Sequence, residues 1–299
     1  MNKEYNFVSA VVLLTKKGDE SLPFLEMLQK ELDEHFMQFE IIVVDAGDKG
    51  IGDGFYNWAK KMEKPITLVK MSANQAHEQC MNAGLDLAIG DYVYEFDSTD
   101  GINSPDLIWK AYEMALQGSD IISVCPRRER VFSRAFYGIF NAHNKQGYKI
   151  RTEAFRLVSR RAINRVHAIS ENLPYRKAAY AACGLQISEL EFDGALPARQ
   201  TGRMELAIDS LTLYTNFGYR FSIGFTILMF FTTVCELIYT VAIYLFGHPI
   251  EGWTTTMFVL TFGLSGVFAV LTIVMKYLTL LLRMTFKKQS YLIRSIEKI

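Results

Sequence analysis

Residues 39–45 read Phe39-Glu40-Ile41-Ile42-Val43-Val44-Asp45, a β-branched apolar run closed by a carboxylate. The apolar residues are continuous rather than alternating, which predicts a strand covered on both faces, as in parallel sheets. Working outward, Phe7–Leu14 is a second such run and ends at Thr15-Lys16-Lys17-Gly18. Between the two, Leu22, Leu25, Leu28, Leu32 and Phe36 recur at helical spacing over Ser21–Phe36. Downstream the pattern predicts a helix over 54–63, a strand over Ile66–Val69 and a helix over His77–Ile89. A strand over Asp91–Asp97 follows and again ends in Asp; then come a helix over Pro105–Gln117 and a strand over Asp120–Val124. This alternation predicts an α/β class: a mainly parallel, Rossmann-like sheet with helices on both faces. Ligands of such sheets bind beyond the carboxyl ends of the strands, where Asp45, Asp97 and Asp100 fall. Clustered carboxylates there suit a divalent cation and the hydroxyls of a sugar or base. No Gly-x-Gly-x-x-Gly or Walker-type loop follows the first strand, which disfavours a dinucleotide or P-loop site.

The chain of 299 residues carries 32 basic and 32 acidic side chains, a balance that excludes a dominant basic nucleic-acid footprint. Cys80, Cys125, Cys183 and Cys235 are scattered without zinc or redox spacing, so buried, inert thiols in a reducing compartment are expected. No signal peptide is visible behind Met1-Asn2-Lys3, and a cytosolic domain over 1–203 is expected. The apolar excess is concentrated later. Residues 221–247 hold one charge, Glu236, and residues 252–282 hold one, Lys276. Each run exceeds the ~20 residues needed to cross a bilayer. The short turn between them predicts a tight transmembrane hairpin. Arg199, Arg203 and Arg220 precede the hairpin; Arg283, Lys287, Lys288, Arg294 and Lys298 follow it; the turn has neither Lys nor Arg. Basic residues remain on the cytoplasmic side, so both chain ends and a basic tail are expected in the cytosol. Trp253, Tyr219 and Tyr244 lie near the expected interfaces. Residues 204–220, with Leu206, Ile208, Leu211, Leu213 and Tyr214, predict an amphipathic helix along the membrane surface. Glu236, costly at mid-membrane, marks an expected contact between helices or subunits, and so a homo-oligomer joined through the hairpin.

Three motifs carry a resemblance to a known family. Asp45-Ala46-Gly47 after a buried strand, Gly90-Asp91-Tyr92-Val93 leading to Asp97, and Phe155-Arg156-Leu157-Val158-Ser159-Arg160-Arg161 resemble the family 2 glycosyltransferases. With the two-helix tail, the sequence is most similar to their polyprenyl-phosphate, dolichol-phosphate-mannose-synthase-like branch. The resemblance covers nearly the whole chain. It implies a GT-A fold, a nucleotide-sugar donor, a polyprenyl-phosphate acceptor, inversion at the anomeric carbon, and a divalent metal, Mg2+ or Mn2+. By position, Asp45 resembles the carboxylate contacting the nucleotide base, and Asp97 the first Asp of an Asp-x-Asp metal motif, with Asp100 one place late. Arg127, Arg130, Ser133 and Arg134 resemble the group receiving the acceptor phosphate. Arg199 and Arg203 resemble the basic residues closing over the donor diphosphate. The sequence departs from the family at Ala46, where a second Asp is usual, at Asp97-Ser98-Thr99, and at Glu153-Ala154, where Gly-Asp is usual.

A phosphate monoester is already anionic at neutral pH and needs little general base. The demands are to bring two polyanions together and to stabilise the departing diphosphate, for which a metal and planar guanidinium donors are suited. Arg127, Arg128, Arg130, Arg134, Arg151, Arg156, Arg160 and Arg161 lie within 35 positions; Arg128, Arg151 and also Arg165 are expected on solvated helix faces. Two further readings stay open. A hydroxyl-bearing lipid acceptor would need a base, for which Glu153, Glu95 and Asp193 are candidates. A non-catalytic relative would bind or scaffold.

Overall fold

The computed structural model describes residues 3–14, 18–46, 50–62, 64–72, 75–100, 102, 104–127, 151–169, 176–194, 217–247, 251–285 and 291–299. The chain divides into two compact units, Met1–Leu206 with Phe286–Ile299, and Ala207–Thr285.

The first unit is built on an eight-stranded sheet. Its strands are β1 (Val8–Leu14), β2 (Phe39–Asp45), β3 (Ile66–Met71), β4 (Tyr92–Phe96), β5 (Ile121–Pro126), β6 (Phe155–Ser159), β7 (Ile187–Phe192) and β8 (Ile293–Lys298). Their spatial order is β7-β5-β6-β4-β1-β2-β3-β8. The four central strands β4, β1, β2 and β3 pair in parallel, as do β5 and β7. Strands β6 and β8 run antiparallel to their neighbours. The sheet is therefore more mixed than the βα alternation alone predicts, because β6 inserts between β4 and β5.

Every residue of β1 and β2 is buried, which accounts for their unbroken apolar runs. The polar exceptions are paired: Ser9 Oγ donates to Glu40 Oε1 at 2.5 Å. Helices α1 (Leu22–His35), α2 (Asp53–Ala59) and α4 (Asp106–Leu116) share one apolar core with Val8, Ala10, Val12 and Leu14. Helix α3 (His77–Leu87) packs on the other face, where Gly84 sits against Val11 and Val44; a Cβ there would lie 2.5 Å from Val11 Cγ1. Two short helices, α5 (Arg160–Ile169) and α6 (Arg176–Ala182), complete the unit.

Residues 293–298 fall in the segment expected to be a basic tail. They form instead the edge strand β8, paired with β3 from Thr67↔Lys298 to Met71↔Ile293. Half-buried Ile293, Ser295 and Glu297 alternate with exposed Arg294, Ile296 and Lys298, the pattern of an antiparallel strand with one solvated side. The basic count masks that alternation in the sequence.

The second unit is a helical hairpin, α7 (Phe217–Phe246) and α8 (Trp253–Thr285). Its spans Ile223–Phe246 and Trp253–Leu278 have mean hydropathies of 1.9 and 2.3, and are long and apolar enough to cross a membrane. Thr226 and Thr272 share a hydrogen bond at 2.6 Å, and the rings of Tyr239 and Trp253 lie 6.5 Å apart, so the helices run antiparallel. Thr240 and Thr261 are buried, while Glu236 and Lys276 are exposed on the hairpin. Cys80, Cys125 and Cys183 are buried, as expected for inert thiols; Cys235, on α7, is exposed, contrary to that expectation, because it faces outward from the apolar hairpin. Residues 204–216 of the expected amphipathic helix lie outside the described residues.

Candidate active site

Asp45 is the final residue of β2, level with Leu14 of β1 and Lys70 of β3. Asp97 directly follows Phe96, the final residue of β4, which is level with Val12 of β1. Since β4, β1 and β2 are parallel, both carboxylates stand at the carboxyl end of the sheet, on the strands flanking β1. Asp45 is buried, whereas the Asp97 side chain keeps 20% of its surface open. After Asp97 the chain turns, and the backbone N–H of Asp100 donates to Ser98 Oγ at 3.1 Å. His77, at the start of α3, places Nε2 2.9 Å from the backbone oxygen of Asp97.

Beneath Asp97 lies a network of buried charges. Glu95, in β4, lies two residues before Asp97, and the two carboxylates meet the same arginine, Arg176. Glu95 is 2% exposed and accepts from Arg176 Nη1 at 2.6 Å, Arg156 Nη1 at 3.2 Å and the Tyr180 hydroxyl at 2.5 Å. Arg176, the first residue of α6, spreads its guanidinium over three carboxylates. Nε donates to Glu78 Oε2 at 2.8 Å, Nη1 to Glu95, and Nη2 to Asp97 Oδ1. Arg156 donates to Glu153 as well as to Glu95, and its guanidinium lies 4.9 Å from the centre of the Tyr180 ring. Lys177 Nζ is 3.6 Å from Glu153. Burial alone would raise the Glu153 pKa; the nearby Arg156 and Lys177 cations outweigh it and hold the carboxyl below its ordinary value. An ion buried this deeply is tolerated only when paired and hydrogen-bonded, and the network satisfies that condition.

The arginines between 127 and 161 take different places from those their clustering suggests. Arg156 is part of the buried network rather than a phosphate donor. Arg160 donates to the carbonyls of Ala88 and Gly90, fixing the turn into β4. Arg161 pairs with Asp120. Arg151, expected on a solvated helix face, lies outside any helix and joins Glu189 and Glu191 of β7. Arg127, at the end of β5, grips Asp193 through two bonds of 2.8 and 3.0 Å beyond the end of β7. Arg128, Arg130, Ser133, Arg134, Arg199 and Arg203 lie outside the described residues.

The candidate bases are constrained as well. Glu95 and Glu153 are sealed beneath ion pairs, and Asp193 is held by Arg127. Reading the sequence missed Arg176, Glu78 and Tyr180. One signal pointed to them: Glu95 interrupts an apolar buried strand, and a buried acid demands cationic partners from elsewhere in the chain.

A divalent metal fits this edge in part. Asp97 and Asp100 offer hard oxygen donors, and Asp97 is the network carboxylate most open to a ligand. Among the described residues no three His, Cys, Asp or Glu side chains gather as a complete metal cage. Such a partial shell suits Mg2+ or a similar cation, which takes one or two carboxylates and completes its sphere with substrate phosphate and water.

A mainly parallel sheet with two acidic strand ends at its carboxyl edge defines the class: a GT-A-type transferase fold. Residues 20–184 match Glycosyl transferase family 2, and the chain belongs to that family. Among curated relatives, the chain is 21% identical to the bactoprenol glucosyl transferase of Shigella phage SfX over 296 residues, 93% of this chain and 95% of that one. It is 23% identical to the uncharacterized glycosyltransferase sll0501 of Synechocystis over 193 residues, 62% of this chain, and spans only 60% of that relative's length. Among solved structures it resembles glucosyl-3-phosphoglycerate synthase from Mycobacterium tuberculosis, crystallised with Mn2+, UDP-glucose and phosphoglyceric acid. The TM-score is 0.51 at 14% identity, covering 69% of this chain and 78% of that one. That likeness supports the fold.

Proposed function

We propose that this family 2 glycosyltransferase moves a hexose, with inversion, from a nucleotide sugar to a polyprenyl phosphate at the cytosolic face of a membrane. The observation that carries the reading is the presence in one chain of a GT-A-type acidic sheet edge and a hairpin of two membrane-length helices. A lipid acceptor gives a transferase domain a reason to carry that hairpin. The similarity to a bactoprenol glucosyl transferase along 93% of the chain supports the same acceptor class. The orientation is supported by flanking charge and by chain path. Sheet strands precede the hairpin and β8 follows it in the same sheet, so both hairpin ends return to one side.

In this reading Asp45 contacts the nucleotide base, and Arg199 and Arg203 close over the diphosphate. Arg127, Arg130, Ser133 and Arg134 receive the acceptor phosphate, with Arg127 exchanging Asp193 for it. Asp97, with Asp100, would hold a divalent cation, which supplies positive charge to the leaving diphosphate when bound. The acceptor oxygen attacks the anomeric carbon in line as the bond to the diphosphate breaks. Because that oxygen is already anionic, no base is required, and the burial of Glu95 and Glu153 in ion pairs favours this acceptor over a lipid hydroxyl. The test is transfer by the full chain in detergent, with a panel of nucleotide sugars and either polyprenyl phosphate or diacylglycerol. Transfer to the phosphate alone, abolished in a folded Asp97→Asn variant, is expected. Transfer to the hydroxyl lipid alone would overturn the acceptor, and full activity of Asp97→Asn would remove Asp97 from the site.

A further inference from the structure

The Arg176 guanidinium has its three nitrogens on three carboxylates that differ in accessibility. Glu78 and Glu95 lie behind it, their side chains 10% and 2% exposed, while Asp97 in front is 20% exposed. Its own backbone N–H also donates to Glu78, at 3.3 Å. Three of its five N–H donors are placed on these carboxylates and its side chain is 2% exposed, so burial keeps it from a diphosphate. On the ligand edge it holds Asp97, whose charge it shares.

We propose that Arg176 is a positioning residue that makes cation capture at Asp97 depend on the nucleotide. By holding Asp97 Oδ1, Arg176 fixes the direction of the carboxylate and neutralises part of its charge. A divalent cation alone then meets a weakened partial shell, and it binds well only when a diphosphate supplies further oxygens. The departure at Asp97-Ser98-Thr99 works in the same direction, because it leaves no second carboxylate two residues on. The inference rests on the proposed donor class, but its central measurement needs neither donor nor acceptor.

The experiment titrates Mn2+ alone into the full chain in detergent and follows free Mn2+ by electron paramagnetic resonance. Binding is assigned to Asp97 by subtracting the Asp97→Asn signal in each background. Arg176→Gln alone would take the cation from buried Glu78, whereas Glu95 keeps Arg156 and Tyr180, so the comparison uses Arg176→Gln with Glu78→Gln. Arg176→Met with Glu78→Met carries the same comparison if the first pair does not fold, as judged by a cooperative melt. Relieving Asp97 is expected to tighten Mn2+ binding about tenfold, within the usual range of coupling between sites. A merely structural role would loosen binding or leave it unchanged. Equal affinity in a folded variant and the wild type overturns the proposal. Tight binding of Mn2+ to Asp97 in the wild type without nucleotide overturns it as well. Failure to find transfer to polyprenyl phosphate would instead overturn the functional reading and leave the Mn2+ comparison standing.

Discussion

Lys70 in β3 and Glu297 in β8 form an ion pair at 2.6 Å across 227 residues of sequence, with the Tyr56 hydroxyl bridging them at 2.8 and 3.2 Å. The pair is partly exposed, so it registers the edge strand more than it stabilises it. Lys70→Ala should cost about 0.2–1 kcal/mol in thermal melts of the full chain. Deleting residues 293–299 should cost clearly more, because it also removes the β3–β8 ladder and the Ile299 contact with the core. Equal losses in the two variants would show that β8 contributes little beyond the ion pair.

Gly90 approaches the backbone of β1 so closely that an added Cβ would lie 2.5 Å from Ser9 N and 2.8 Å from Val8 C. Backbone atoms cannot step aside as a flexible side chain does. Gly90→Ala should therefore destabilise by about 1–3 kcal/mol, the usual cost of overpacking. It also disturbs the bond from Gly90 N to Ser9 Oγ at 2.8 Å. A denaturation midpoint unchanged from wild type would count against this contact.

Arg156 is buried between Glu95 and Glu153. Arg156→Met should cost about 3–5 kcal/mol, because it leaves buried carboxylates without their counter-charge. Adding Glu153→Gln should recover part of that loss. A double-mutant cycle read by urea denaturation measures the coupling, and strict additivity would argue that the two side chains act independently.

Glu153 sets a pH dependence. Its pKa is held below the ordinary 4.5 in the folded protein. The stabilisation is therefore complete above the unfolded value and is lost as pH falls through the folded one. Stability should decline on acidification below about pH 4.5, and Glu153→Gln should flatten that limb while lowering stability at neutral pH. An unchanged acid limb in the variant would assign the decline to other carboxylates.

Arg127 and Asp193 are 61% and 78% exposed, so their pair contributes little to the fold. If Arg127 serves the acceptor phosphate, Arg127→Ala should leave the melting temperature nearly unchanged and raise the KM for the lipid. Asp193→Ala should keep the KM or lower it. An unaffected KM in Arg127→Ala removes that residue from the acceptor site.

The central strands were legible because they are buried on both faces: hydropathy alone locates Val8–Leu14 and Phe39–Asp45. The final Asp of each acidic strand run was legible for the same reason, since parallel pairing carries Asp45 and Asp97 to one edge. Strands β6, β7 and β8 were harder. Their alternation is diluted by Arg156, Glu189, Glu191, Arg294 and Lys298, and their partners are distant in sequence. The buried network was illegible because a charged side chain reads as surface until its partner is known. Arg176, 81 residues from Glu95, is such a case.

Strand β8 follows both hairpin helices in the chain, yet its place is beside β3. During synthesis the sheet edge at β3 therefore stays open until the whole segment Ala207–Thr285 has left the ribosome. Completion of the transferase sheet is thus ordered in time after synthesis of the hairpin. An unfinished chain exposes a strand edge of the kind that invites wrong pairing. Insertion and closure of the sheet become successive steps of one assembly line, with β8 as its final station.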